Sequence, residues 1–336
     1  MSVAALAVGL VMLIGINGCG QSDDKDKADT ALTGSANDSA ADDTSAASDD
    51  ATGNTAIVSA DASGTADMAS DAASSDATDL THGLVYTTMP IANVESISSE
   101  KQSWGNGPDR DELNRPVSAL SFNEKYADYN VDFIVDTDEK VVFLTFDEGY
   151  ENGYTPQILD TLNEKGWIGI FFCTGSYIKD NPELVRRMID EGHVVGNHTE
   201  HHPSDGLDSL SISEQQEEIM SIHEYVKENF DYDMFLFRYP SGDFSEQSLA
   251  VVNNCGYKSV FWSFAYVDWL TDDQPDESES LTKLTDSLHP GAIYLLHAVS
   301  STNAHILGQF IDAAKSQGYT GGDYVSILTQ EMNAGK

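Results

Sequence analysis

From Lys140 onward, short apolar runs alternate with stretches of helical period. The runs Val141–Phe146, Ile168–Phe172, Val194–Gly196, Phe235–Phe237, Ser259–Ser263 and Ala292–Leu296 predict strands, and Tyr324–Ile327 a weaker seventh. Between them Tyr154–Lys165, Pro182–Glu191, Ser213–Asn229, Ser245–Asn254, Glu277–Leu288 and Asn303–Gln317 carry helix patterns. Gly166, Gly192, Gly256 and Gly318 each stand just past one of these helices, where left-handed backbone stops a helix. Strand and helix in strict alternation predict parallel β/α architecture, here one barrel-like domain of roughly 200 residues.

Upstream the pattern is different. Residues 81–139 are mixed in character, and Trp104, Pro108, Arg110, Pro116 and Tyr126 predict an ordered lead-in packed against the domain at 140–336. Residues 20–80 hold fourteen Asp, two Lys, no Glu and no Arg among Ala, Ser, Thr and Gly. Such a segment buries too little surface to offset the entropy of ordering, and its like charges extend it, so it is expected to be a disordered tether. Residues 1–19 are apolar or small up to Cys19, and Ile16-Asn17-Gly18-Cys19 resembles a bacterial lipobox. Cleavage there would leave Cys19 as a lipidated N-terminus. An uncleaved anchor and simple secretion are the alternatives, and all three export the chain.

Composition then narrows the partners. The formal net charge of −39 repels nucleic acid and anionic lipid, so membrane contact is expected only through the N-terminus. With 40% apolar and 9% aromatic residues the chain as a whole is not a disordered one. A monomer is expected.

Parallel β/α folds build their sites at the C-terminal ends of strands, so the residues after each run carry the chemistry. Asp147 and Glu148 follow the first run, Asn197-His198-Thr199-Glu200-His201-His202 the third, and Arg238-Tyr239-Pro240-Ser241-Gly242 the fourth. The fifth leads to Asp268-Trp269, and the sixth ends at His297. His198 and His202, four apart, would face one metal if they lay on a helical turn. The string is not HExxH, so zincin-type proteolysis is not indicated. Two adjacent carboxylates could divide the work of holding a metal and taking a proton from water, while a separate His protonates a leaving amine. Cys173 reads as a buried thiol and His193 as a structural hydrogen bonder. His201 would point away if His198 and His202 converge, and Tyr150 and Tyr154 are open between groove wall and core.

In this order TFDEG, HTEHH, RYPSG, Asp268-Trp269 and LLH resemble the five motifs of the polysaccharide deacetylases, the NodB-homology group or carbohydrate esterase family 4. The resemblance spans about Lys140 to Ile327. The longer strings TFDEGYENGYTP, VGNHTEHHPS, FWSFAYVDW and GAIYLLHAVSSTNA resemble the delta-lactam-biosynthetic de-N-acetylases acting on peptidoglycan muramic acid. The fold implied is a distorted (β/α)7 barrel. Carried over by motif, the catalytic base falls on Asp147 and the metal ligands on Glu148, His198 and His202. Arg238 would orient the base, Asp268 would tune the acid His297, and the Ser241 backbone N–H would meet an oxyanion. Trp269 and Leu295 would wall the substrate groove. At position 148 most of the family has Asp, and Glu would reach the same ion through a longer arm. The resemblance thus implies a divalent metal, Zn or Mn or a similar ion, and glycan strands of peptidoglycan as partner. N-acetylglucosamine units, chitin-type oligomers, acetylated xylan and a catalytically silent wall-binding module are the competing readings.

Overall fold

The computed structural model describes residues 82–333, so Cys19 and the 20–80 tether lie outside the described residues. In chain order the strands are β1 (Gln102–Ser103), β2 (Val131–Asp132), β3 (Val141–Glu148), β4 (Gly169–Cys173), β5 (Val194–Asn197), β6 (Leu236–Phe237), β7 (Asp243–Phe244), β8 (Lys258–Val260), β9 (Phe264–Ala265), β10 (Ala292–Leu296) and β11 (Thr320–Gly321). The helices are α1 (Val117–Lys125), α2 (Thr155–Lys165), α3 (Gly175–Asp180), α4 (Pro182–Asp190), α5 (Ile212–Phe230), α6 (Glu246–Asn254), α7 (Glu277–Asp286), α8 (Ser301–Ser316) and α9 (Tyr324–Asn333).

The main sheet runs β2-β8-β6-β5-β4-β3-β10-β9, with β11 added beside the start of β3, and its pairings are all parallel. Among the described residues β2 and β9 stay as open edges, so the sheet is a curled half-barrel. β3, β4 and β10 are buried almost throughout, which is why they read as continuous apolar runs rather than alternating ones. The four glycines expected to stop helices all have positive φ, from 66° at Gly166 to 87° at Gly256.

Two strand expectations need correction, and the lead-in joins the domain more closely than expected. Tyr324–Ile327 is not a strand but the first turn of α9. Asp323 Oδ1 accepts from the Val325 and Ser326 N–H groups at 3.0 and 3.3 Å, and such a cap commits the next residues to a helix. The run Ser259–Ser263 divides, because the strand ends at Val260 and β9 begins at Phe264. Asp268 therefore follows β9 rather than β8. The lead-in also enters the sheet itself through β2. Finally, its aromatic residues are core: Trp104 and Phe133 lie 4.6 Å apart between ring centroids, and Phe133 stacks on Phe261 at 4.5 Å.

Candidate active site

The C-terminal ends of β3, β5, β6, β9 and β10 open into one cleft of about 660 Å³, lined among others by Asp147, His198, His202, Ser241, Trp269, Leu295 and His297. Arg238, just beyond β6, is fully buried and holds the cleft residue Asp147 in place. Every hydrogen bond of this guanidinium serves to aim it. Nε donates to the Val260 carbonyl at 2.6 Å, Nη2 to Thr145 Oγ1 at 2.9 Å and to the Phe261 carbonyl at 3.1 Å, and Nη1 to Asp147 Oδ1 at 3.1 Å. Phe172 lies below it, 4.4 Å from ring centroid to Cζ. Burial lowers the guanidinium pKa and the Asp147 charge opposes that, so the cation is held where it fixes one carboxylate oxygen. Thr145 and Asp147 are two apart on β3 and share this face. Thr145 carried no signal in the sequence.

His198 and His202 converge, with ring centroids 5.0 Å apart, but not on a helix. Residues 198–202 are irregular, and Thr199 and His202 take left-handed backbone with φ of 69° and 50°. The bend is held locally, since Asn197 Oδ1 accepts from Thr199 N–H and Thr199 Oγ1 accepts from His202 N–H, both at 2.9 Å. His198 Nδ1–H donates to the Arg238 carbonyl at 2.8 Å, which leaves Nε2 as a lone pair 3.7 Å from Asp147 Oδ2. Burial pushes His198 down to about 4 against the pull of Asp147, so the ring is neutral at pH 7. His201 turns out to Glu218, with Nδ1 2.8 Å from Oε1, and His193 Nδ1 accepts from Gly169 N–H at 3.1 Å beneath the sheet.

Across the cleft His297 ends β10, and its Nδ1–H donates to Asp268 Oδ1 at 2.7 Å. Burial disfavours the imidazolium, yet the Asp268 hydrogen bond and the charges of Asp268 and Asp147 outweigh it and raise the pKa. Trp269 packs against His297 at 5.4 Å between ring centroids and is 46% exposed, as an apolar wall open to a ligand must be. Tyr150, 55% exposed, also lines the cleft, which settles it as wall rather than core. Trp262 lines the inner end, and the sequence did not single it out. Ser241 takes φ 57° in the turn after Arg238, and a Cβ on the next residue, Gly242, would come within 2.6 Å of the Trp262 ring. That turn is therefore closed to any side chain at 242 and keeps the Ser241 backbone on the cleft.

Glu148 is not brought to this cleft. Strand β3 continues through it, so consecutive side chains take opposite faces and Glu148 goes with Phe146, away from Asp147. It is fully buried, and neither carboxylate oxygen has a hydrogen-bond partner among the described residues. Burial first, then the charges of Glu151 and Asp147, hold its pKa well above the usual carboxylate range. Its own charge would bear on Cys173 and Tyr177, on β4 and α3.

Comparison with known proteins points to one family. The family model described as polysaccharide deacetylase matches residues 134–260. Over 232 residues the chain is 41% identical to the peptidoglycan-N-acetylmuramic acid deacetylase PdaA of Bacillus subtilis, covering 68% of this chain and 86% of that protein. The chain belongs to the polysaccharide deacetylase family. The solved structure of Bacillus subtilis PdaA, a family 4 carbohydrate esterase, matches the deacetylase fold with a TM-score of 0.66 at 38% identity, covering 70% of this chain and all of that one. A family 4 carbohydrate esterase from Bacillus anthracis matches with a TM-score of 0.57 at 34% identity, covering 70% of this chain and 99% of that one. As a member, the deacetylase is a hydrolase of amide bonds in acetylated glycan, on a curled parallel half-barrel.

Deacetylases of this family are in general metal-dependent. In this member the fit is partial. The neutral Nε2 of His198 and the adjoining His202 ring suit a divalent cation, but Glu148 faces away, and among the described residues no three His, Cys, Asp or Glu gather as a ligand set.

Proposed function

We propose that the protein is a peptidoglycan deacetylase that removes the acetyl group from N-acetylmuramic acid, preparing the amine for closure onto the lactyl carboxyl as a muramic delta-lactam. One observation carries the catalytic reading: the Arg238-held Asp147 and the Asp268-held His297 face each other across one cleft. Amide hydrolysis needs a base for water and an acid for the departing nitrogen. Asp147 has one oxygen bound to Arg238 and the other turned towards His198, so it can accept the water proton without losing its aim. His297, whose imidazolium Asp268 and Asp147 favour, delivers a proton to the amine nitrogen as the C–N bond breaks. The Ser241 backbone N–H meets the tetrahedral oxyanion. Trp269, Leu295 and Tyr150 receive the apolar faces of acetyl and sugar. His198 and His202 would hold a divalent ion, Zn or Mn, which when bound polarises the acetyl carbonyl and makes water more acidic.

A wall substrate places the enzyme outside the cytoplasm. The lipobox-like string at Cys19 supports attachment to the membrane by lipid, with the catalytic domain acting as a monomer. Among the described residues no helix is long and apolar enough to cross a bilayer. Mass spectrometry of peptide-free glycan strands after incubation with the full chain tests the substrate. Muramic acid residues are expected to lose acetyl and then water. Loss confined to N-acetylglucosamine residues would overturn the muramic acid reading while leaving the deacetylase chemistry intact.

A further inference from the structure

The proton-donating side of the cleft is built more deeply than His297 and Asp268. The Asp268 carboxylate is fully buried, and its second oxygen is held as firmly as its first. Oδ2 accepts from the His297 backbone N–H at 2.9 Å and from Asn303 Nδ2 at 2.5 Å. Asn303 is 2% exposed on the first turn of α8, where its own N–H donates to the capping Ser300 Oγ at 3.1 Å. Its Nδ2 also donates to the His297 carbonyl at 3.2 Å, and its Oδ1 accepts from the Tyr266 hydroxyl. That last bond decides which way the amide points. Burial, with the Asp268 charge adding, raises the Tyr266 pKa, so the phenol stays a donor and requires oxygen on its side. The amide nitrogen must then face the carboxylate.

We propose that Asn303 is a positioning residue of the hydrolysis, linking Tyr266 to Asp268 so that the Asp268 carboxylate is locked in the orientation that aims His297 at the leaving nitrogen. The proposal rests on the reading of His297 as the proton donor. Asp268 needs such a lock because it sits in an irregular loop, residues 266–276, whose neighbours Val267, Trp269 and Leu270 are 45–51% exposed. Gln274 secures only the loop backbone, donating to the Asp268 and Leu270 carbonyls at 2.8 and 3.0 Å while accepting from Ser300 Oγ at 2.6 Å. Among the described residues only Asn303 and the His297 backbone grip Oδ2 itself. With the amide gone, the carboxylate can rotate about its last bond, and the Nδ1–H to Oδ1 contact that fixes the tautomer and supports the imidazolium weakens. The charged groups facing His297 are Asp268 beyond β9, Asp147 on β3 and Arg238 beyond β6, and Tyr266 bears on Asp268. Asn303 acts through the first of these and leaves the others in place.

The test measures acetate release by the full chain against pH for Asn303→Ala, Tyr266→Phe and the double variant, with His297→Gln as control. The alkaline limb of kcat/KM is where the acid loses its proton. Asn303→Ala is expected to lower kcat about tenfold with KM unchanged and to move that limb down by about half a pH unit. Tyr266→Phe should move it in the same direction by less, and the double variant should add little to Asn303→Ala, because both act on one chain of bonds. A limb that stays in place in both single variants, or losses that simply add, would overturn the role of Asn303. If Asn303→Ala does not fold, Tyr266→Phe removes one oxygen atom and decides alone: an unmoved limb overturns the proposal. A fully active His297→Gln would instead overturn the proton-donor reading on which it rests.

Discussion

Asp147 and Glu148 are chain neighbours with opposite fates. One strand turns the first to Arg238 and the cleft and the second into the layer beneath α3, and the side-chain period of a strand leaves no other choice. Asp147→Asn keeps the shape but cannot take a proton, so acetate release is expected to fall by about 10²–10⁴ with melting temperature nearly unchanged. Glu148→Gln should do the reverse, keeping near-native turnover and metal affinity while changing stability. Because burial and the charges of Glu151 and Asp147 raise the folded pKa of Glu148, the unfolded chain releases this proton first as pH rises above 4.5. Stability is thus lost with rising pH, and an amide escapes that loss. Thermal melts should place Glu148→Gln above the native protein at pH 8 and level with it near pH 4. Loss of activity that added Zn²⁺ or Mn²⁺ restores would return Glu148 to the metal site.

Apart from α1, α3 and α9, the elements of more than four residues could be read from the chain, since a hydrophobic period needs several residues to declare itself. β2 and β9 could not, at two residues each, and α9 misled because its cap lies in one residue, Asp323. What holds β2 in the sheet is a junction of three elements. Lys258 of β8 is buried with Nζ 3.2 Å from Asp132 Oδ2 of β2 and 3.1 Å from Glu331 Oε2 of α9, and the Tyr324 hydroxyl also donates to Asp132. Removing the cation leaves two carboxylates facing each other at the foot of the sheet. Lys258→Ala is expected to cost about 3 kcal/mol, read as a lower urea midpoint, and to spare kcat because the cleft lies at the other end of the strands. A midpoint unchanged from native would show that the junction contributes no stability.

At the scale of the whole fold, three buried imidazoles among the described residues weaken the protein in acid. His193, His198 and His289 are each pushed down to about 4 by burial, whereas the unfolded chain takes up these protons near 6.5. Between those values the unfolded state binds more protons, so stability falls as pH falls, by about 2 kcal/mol per imidazole at pH 5. Urea midpoints should decline from pH 7 to 5, and His193→Gln, outside the cleft, should flatten the slope without changing turnover at pH 7. An unchanged slope would mean that His193 is protonated in the folded protein. Six of the strands (β3, β4, β5, β6, β8 and β10), most of the chemistry at their exits and the family were legible in the sequence, because apolar period and residue type are local properties that survive without coordinates. Tertiary structure alone decided that Glu148 leaves the cleft, that His198 and His202 meet through left-handed backbone rather than a helix, and that Thr145, Trp262 and Asn303 join the site. Each of these depends on where β3 stops, how the sheet curls and which distant element arrives opposite, and no spacing along the chain encodes those quantities.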